Sequence, residues 1–322
     1  MINHILIPLD GSALAECVLP HVMAITPVTN AHVTLLHVME HPQNGRGTAA
    51  VDPVDWHLQK QKSEKYLEQI AGRLSKSGVL GVEHIVLEGS PANGVIDFAR
   101  NNNVDLIALS THGQSGLSGW NVSSVVQKIL LRSHKSTLLV RAYLSPSTGM
   151  TKIRYKRLFV GMDCSPRSEF VLPFAISLAQ FHKSQVILES VVEKPRAINR
   201  LPPSDEDAEL INRFVEKNYQ AATHYLKQLL TQFSMKELKL KAHVSIGENA
   251  ISVLHDLAEE ANADLVMLVA HGYSGERRWP YGSVTTSFIV YGNTSLMIMQ
   301  DLPETEIHQT RAEIAVREGK GH

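Results

Sequence analysis

The amino-acid sequence predicts an α/β protein made of two tandem domains, each a doubly wound, mostly parallel sheet with helices on both faces. Three observations predict it. The chain has 322 residues, more than one hydrophobic core usually fills. Short runs rich in Val, Ile and Leu alternate with helical patterns. A long internal repeat spans nearly the whole length.

The repeat opens with Ile5-Leu-Ile-Pro-Leu-Asp10-Gly-Ser12, an apolar run ending in Asp with Ser two residues later. It returns 153 residues on as Leu158-Phe-Val-Gly-Met-Asp163-Cys-Ser165. Val33–Val38 answers to Val186–Val191 at the same offset, and Val104–Leu109 answers to Ala263–Leu268 at 159, so the second copy carries about six more residues in between. In the first copy the strands fall near 4–9, 32–38, 83–87, 105–109 and 137–141. Their unbroken apolar character suits strands covered on both faces. Between them lie helical stripes such as Ile251, Leu254, Leu257, Ala258 and Ala261, at a period of 3.6.

Glu40–Asp55 and Glu193–Asp205 follow the second strand of each copy and read as lids or as variable surface loops. Tyr143–Met150 is turn-rich and reads as a linker. The expected domains are therefore 1–142 and 152–301, with 302–322 a polar tail whose end is expected to be disordered.

Composition narrows the function. With 43% hydrophobic and 20% charged residues the chain is ordinary globular material. A net charge of -1 offers no global field for a nucleic acid. No stretch approaches the roughly 18 apolar residues of a membrane span. A cytoplasmic protein with neither nucleic-acid nor membrane partner is expected. Cys17 and Cys164 lie one in each half, which suits small buried side chains rather than a disulfide framework or zinc site.

In an open parallel sheet ligands gather beyond the carboxyl ends of the strands, where strand order reverses. That rule points to Asp10 and Asp163, to Val38 and Val191, and to the loops after the fourth strands. Those loops run from Ser110 through His112, Gly113 and Ser123 to Ser124, and from Val269 through His271, Gly272 and Gly282 to Ser283. A glycine-rich turn leading into a helix start presents backbone N–H groups and the positive end of the helix dipole, a combination that suits phosphates.

Here the sequence resembles the universal stress protein family. Its ATP-binding members carry Gly, two residues, Gly, nine residues and then Gly-Ser or Gly-Thr after the fourth strand. Gly272, nine residues and Gly282-Ser283 match the longer part; the leading position is Val269. The first copy keeps Gly113, has Ser110 at the leading position and has Ser123 before Ser124. The second copy thus matches more fully, and the resemblance covers about nine-tenths of the chain, from His4 to Met299.

The resemblance implies a five-stranded sheet ordered 3-2-1-4-5 in each copy. It implies ATP, ADP or AMP as ligand, with Mg²⁺ held by the phosphates rather than by protein side chains. By this likeness Asp10 and Asp163 contact the nucleoside, backbone at Val38 and Val191 the adenine, and the glycine-serine segments the phosphates. The surrounding residues are Pro8, Leu9, Leu109, Ser110, His112, Gly113, Ser123, Ser124 and Val125 in the first copy. In the second they are Gly161, Met162, Leu268, Val269, His271, Gly272, Gly282, Ser283, Val284 and Thr285. The family's fifth strand often pairs with another copy, which implies packing of the two halves, and homodimerisation is a further expectation.

Plainer readings stand beside these. Asp10 and Asp163 also suit helix caps, and the two roles are compatible. His112 and His271 have no carboxylate or second His at ligand spacing and read as loop histidines that orient the turn or touch a ligand edge. Arg277, Arg278 and Trp279 suit either a phosphate and base clamp or a solvated loop. No G-x-x-x-x-G-K-[ST], no G-x-G-x-x-G after the first strand and no G-x-S-x-G occurs. The expected function is therefore a stress-response regulator that binds adenine nucleotide with at most slow ATP turnover and signals to a protein partner. The alternative is a nucleotide-independent adaptor.

Overall fold

The computed structural model describes residues 2–40, 52–114, 116, 122–144, 153–195, 204–233, 238–273 and 279–302. The linker 145–150, Arg277, Arg278 and the tail beyond 302 lie outside the described residues.

The first copy runs β1 (His4–Pro8), α1 (Ala13–Glu16), α2 (Leu19–Thr29), β2 (His32–Met39), α3 (Pro53–Lys76), β3 (Val82–Glu88), α4 (Pro91–Asn101), β4 (Leu106–Ser110), α5 (Ser124–Ser133) and β5 (Ser136–Val140). The second runs β6 (Arg157–Gly161), a 3-10 turn at Ser168–Val171, α6 (Leu172–His182), β7 (Gln185–Glu193), α7 (Asp205–Phe233), β8 (Lys239–Gly247), α8 (Ala250–Glu260), β9 (Leu265–Val269), α9 (Ser283–Tyr291) and β10 (Leu296–Met299). Most of the inserted length enters α7, which has 29 residues against 24 in α3.

Within each copy the strands are parallel and ordered 3-2-1-4-5, as the resemblance implied. The two sheets are one. β5 and β10 pair antiparallel, Leu138 opposite Met297, and produce a ten-stranded sheet ordered β3-β2-β1-β4-β5-β10-β9-β6-β7-β8. The edge that the family likeness assigns to another copy is thus satisfied inside this chain.

Strand alternation divides the apolar residues between two layers. Ile5, Ile7, Val33, Leu35 and Ala108 face one side of the sheet, together with Val160, Leu188 and Met267 of the second copy. Leu6, Leu36, Ile107, Leu109 and Leu139 face the other side, against Val95 and Ile96 of α4 and Ile129 of α5.

The joint between copies is also polar. The buried Arg141 guanidinium donates to the Phe288, Ile289 and Thr294 carbonyls, at 2.5, 3.0 and 3.3 Å, and so binds the carboxyl end of α9. In return the Tyr281 hydroxyl donates to the Leu130 carbonyl in α5 at 3.0 Å. A cation at a helix carboxyl end also opposes the local negative dipole charge.

Candidate functional site

The chain turns sharply after β1 because Asp10 gathers the donors around it. Its Oδ1 accepts from the Ser12 N–H at 3.0 Å and the Ser12 hydroxyl at 2.6 Å, and its Oδ2 accepts from the Gln114 N–H. Asp163 repeats the arrangement with the N–H groups of Ser165 and Tyr273. Ser12, rather than Asp10, caps α1 by accepting from Ala15 N–H at 3.1 Å. The aspartates therefore tie the turn after the first strand of each copy to the loop after its fourth.

This tie explains the shared glycines. A Cβ on Gly113 would stand 2.0 Å from Asp10 Oδ2, and one on Gly272 would stand 2.4 Å from Asp163 Oδ2. Gly282 needs no such space, since a Cβ there would meet its nearest neighbour at 3.7 Å. Gly282 and Ser123 share nearly one backbone conformation, φ -68 with ψ 168 and 157. Serine thus fits where the family pattern has glycine, and its hydroxyl accepts from Val126 N–H at the start of α5.

Each loop returns to the sheet in the same way. Ser123 N–H donates to the Thr111 carbonyl at 2.9 Å, and Gly282 N–H donates to the Ala270 carbonyl at 2.8 Å. The first N–H groups of each helix have no intrahelical partners, as at any helix start, and in α5 the Ser123 hydroxyl takes up that of Val126.

In the first copy these parts surround an open cleft of about 1230 Å³. It sits where β1 lies between β2 and β4, the switch point of the sheet. Pro8, Leu9, Asp10, Val38, Leu109, Ser110, His112, Gly113, Ser123, Ser124 and Val125 all line it. So do Leu36 and Val95 below, and Lys62 and Tyr66 of α3 above, which no sequence spacing marked. Tyr66 reaches across to Glu16 at 3.3 Å, and in the second copy Tyr225 makes the matching bond to Glu169.

The second copy brings together the same backbone positions but differs at its histidine. His271 is buried; its Nδ1 lies 2.9 Å from Asp301 Oδ1 and its Nε2 2.6 Å from the Trp279 carbonyl. Both partners only accept, so the ring that satisfies both carries two protons. Burial pulls its pKa down, but the Asp301 carboxylate and the Trp279 carbonyl outweigh burial, and the pKa is raised overall. Arg167 stands 3.7 Å from the other Asp301 oxygen. The corresponding first-copy residues are Leu14 and Ala142, and His112 instead lies 3.1 Å from Thr111 Oγ1. With both nitrogens engaged, His271 is a loop anchor rather than a base facing a substrate. Thr285 also turns inward, donating to the Val269 carbonyl at 2.7 Å.

Among the described residues no cluster of three His, Cys, Asp or Glu side chains could hold a metal ion. None of the described helices is long and apolar enough to cross a membrane.

The fold and the cleft define a doubly wound α/β protein with an open crevice at its switch point. The universal stress protein family matches residues 1–141 and again residues 154–299, and the chain belongs to that family as a tandem two-domain member. Universal stress protein MJ0531 of Methanocaldococcus jannaschii is 28% identical over 138 residues, 42% of this chain and 81% of the relative. A universal stress protein from Archaeoglobus fulgidus shares the fold with TM-score 0.64 and 17% identity, over 93% of this chain and 99% of its own. One from Pseudomonas aeruginosa does so with TM-score 0.60 and 15% identity, over 92% and 93%.

Proposed function

We propose that this protein is a regulatory adenine-nucleotide-binding protein of the stress response that turns over little or no ATP. The observation that carries the reading is the first-copy cleft, which collects every first-copy residue assigned from sequence and lies at the switch point. Its volume suffices for a nucleotide, since ligand pockets commonly measure about 300–1,000 Å³. The base lies along Val38 over Leu36, the ribose reaches Asp10, and the phosphates meet the start of α5 at Ser123 and Ser124, with Lys62 above. Mg²⁺ comes with the phosphates. The second copy offers matching parts at Asp163, Val191 and Gly282-Ser283, flanked by Gly161, Met162, Leu268, Gly272 and Val284.

No sequence motif places a lysine or general base against a terminal phosphate, which is why binding rather than hydrolysis is proposed. A bound nucleotide ties β1, β2 and α5 together, and a cytoplasmic protein partner reads the tied state. A homodimer of this tandem chain has to use a surface other than the β5 edge, which β10 covers. The test is calorimetric titration of ATP with Mg²⁺ into the full chain. Heat with saturation supports the reading; no heat, together with an unchanged melting point at millimolar ATP, refutes it and leaves a nucleotide-independent adaptor.

A further inference from the structure

The two copies are built on one plan, so corresponding positions can be compared directly. Leu9 N–H donates to the Leu36 carbonyl at 2.8 Å, and Met162 N–H donates to the Glu189 carbonyl at 2.8 Å. These bonds identify Leu36 and Glu189 as the same position, on β2 and β7. Leu36 forms the buried apolar floor of the first cleft. Glu189 is equally buried, at 2% exposure, and its Oε1 accepts from the Ser245 hydroxyl at 2.8 Å.

Two further differences fall on neighbouring positions. Gly94 stands four residues beyond the Ser90 N-cap of α4, and a Cβ there would already press on Val38 at 3.0 Å. At the same position of α8, four beyond Asn249, the second copy has Val253, packed against Gly247 and beside Val191. Where the first copy has Pro8, the second has Gly161, and Leu268 leans over it, its Cδ2 2.7 Å from where a Cβ would sit.

We infer that the two copies differ in ligand chemistry, and that Leu36 against Glu189 decides it: the chain binds one adenine nucleotide, in the first copy. This inference rests on the nucleotide reading. The face of an adenine ring carries no hydrogen-bond donor for a carboxyl beneath it. A base stacked there closes what water access Glu189 has left and offers its carboxyl no donor beyond the Ser245 hydroxyl, whereas over Leu36 it rests on an apolar side chain. Val253 puts a branched side chain beside β7 where the first copy has Gly94, close against Val38. Gly282-Ser283 keeps the phosphate end of the second copy intact in sequence, but that end alone does not seat a nucleoside.

Titration of ATP with Mg²⁺ into the full chain, read for stoichiometry, tests this. The wild type is expected to bind one equivalent. Leu36→Glu is expected to weaken it about tenfold or more, the scale of a misfit in an apolar pocket. The double variant Glu189→Leu with Val253→Gly is expected to bind two, with circular dichroism confirming that each variant is folded. Two equivalents in the wild type, or one that survives Leu36→Glu and disappears in Gly282→Val, overturns the inference and keeps the nucleotide reading. Absence of binding to the wild type overturns both.

Discussion

Gly113 lies beside the Asp10 carboxylate, and replacing it with alanine tests what holds the site in shape. Its φ lies outside the left-handed region, so alanine is conformationally acceptable there and any cost is one of space. The new Cβ would stand 2.0 Å from Asp10 Oδ2, well inside van der Waals contact, so the carboxylate has to withdraw and gives up the Gln114 N–H bond. Hydrogen bonds to charged groups contribute about 1.5–3 kcal/mol, so Gly113→Ala is expected to cost roughly 2 kcal/mol. At about 2–4 °C per kcal/mol for a domain of this size, the thermal midpoint falls by roughly 4–8 °C. The assay is a double-mutant cycle with Asp10→Ala, followed by thermal unfolding. Without the carboxylate the alanine fits, and its cost drops to about 0.5 kcal/mol or less. Gly116 provides the contrast: its φ is +77 and no atom lies within 4 Å of its would-be Cβ. Gly116→Ala is therefore expected to cost about 1 kcal/mol of backbone strain whether or not Asp10 is present. A Gly113→Ala penalty that is unchanged in the Asp10→Ala background refutes the reasoning.

Arg141→Met takes the donors from three carbonyls at the joint between the copies and is expected to destabilise the chain by about 3 kcal/mol, measured by urea unfolding. His271 has a raised pKa, so its pairing with Asp301 and Trp279 stabilises fully below the ordinary histidine value of 6.5 and is lost as pH rises through the raised one. Melting points taken from pH 6 to 9 should show that alkaline loss in the wild type and not in His271→Asn, with Asp301 and Arg167 the charges that face the ring. His21, bonded through Nδ1 to the Tyr155 hydroxyl at 2.8 Å, is pulled by burial down to about 4. Its contribution is complete above 6.5 and is lost as pH falls toward 4, so His21→Gln should flatten the acid side of the same profile.

Much of the architecture was legible because each copy repeats the same apolar runs, and a run such as Leu106–Ser110 is buried along its full length. The antiparallel joint was not, since nothing in Ser136–Val140 or Leu296–Met299 distinguishes a parallel from an antiparallel neighbour; that choice is made by the edge each sheet leaves open. The His271–Asp301 pair escaped because the two residues stand 30 apart in the chain and meet only when β9 and β10 lie side by side. Lys62 and Tyr66 escaped for a similar reason, as α3 carries them over the cleft with no motif of its own. Glu189 is a different case. It stands inside the apolar run Val186–Val191, opposite Leu36 when the copies are aligned, so the signal was present. The glycine-serine signature, however, describes only where phosphates rest. It favours the second copy, while the apolar floor at Leu36 belongs to the first. A nucleotide site needs both ends, and here the fuller motif and the apolar floor have come to lie in different halves of one chain.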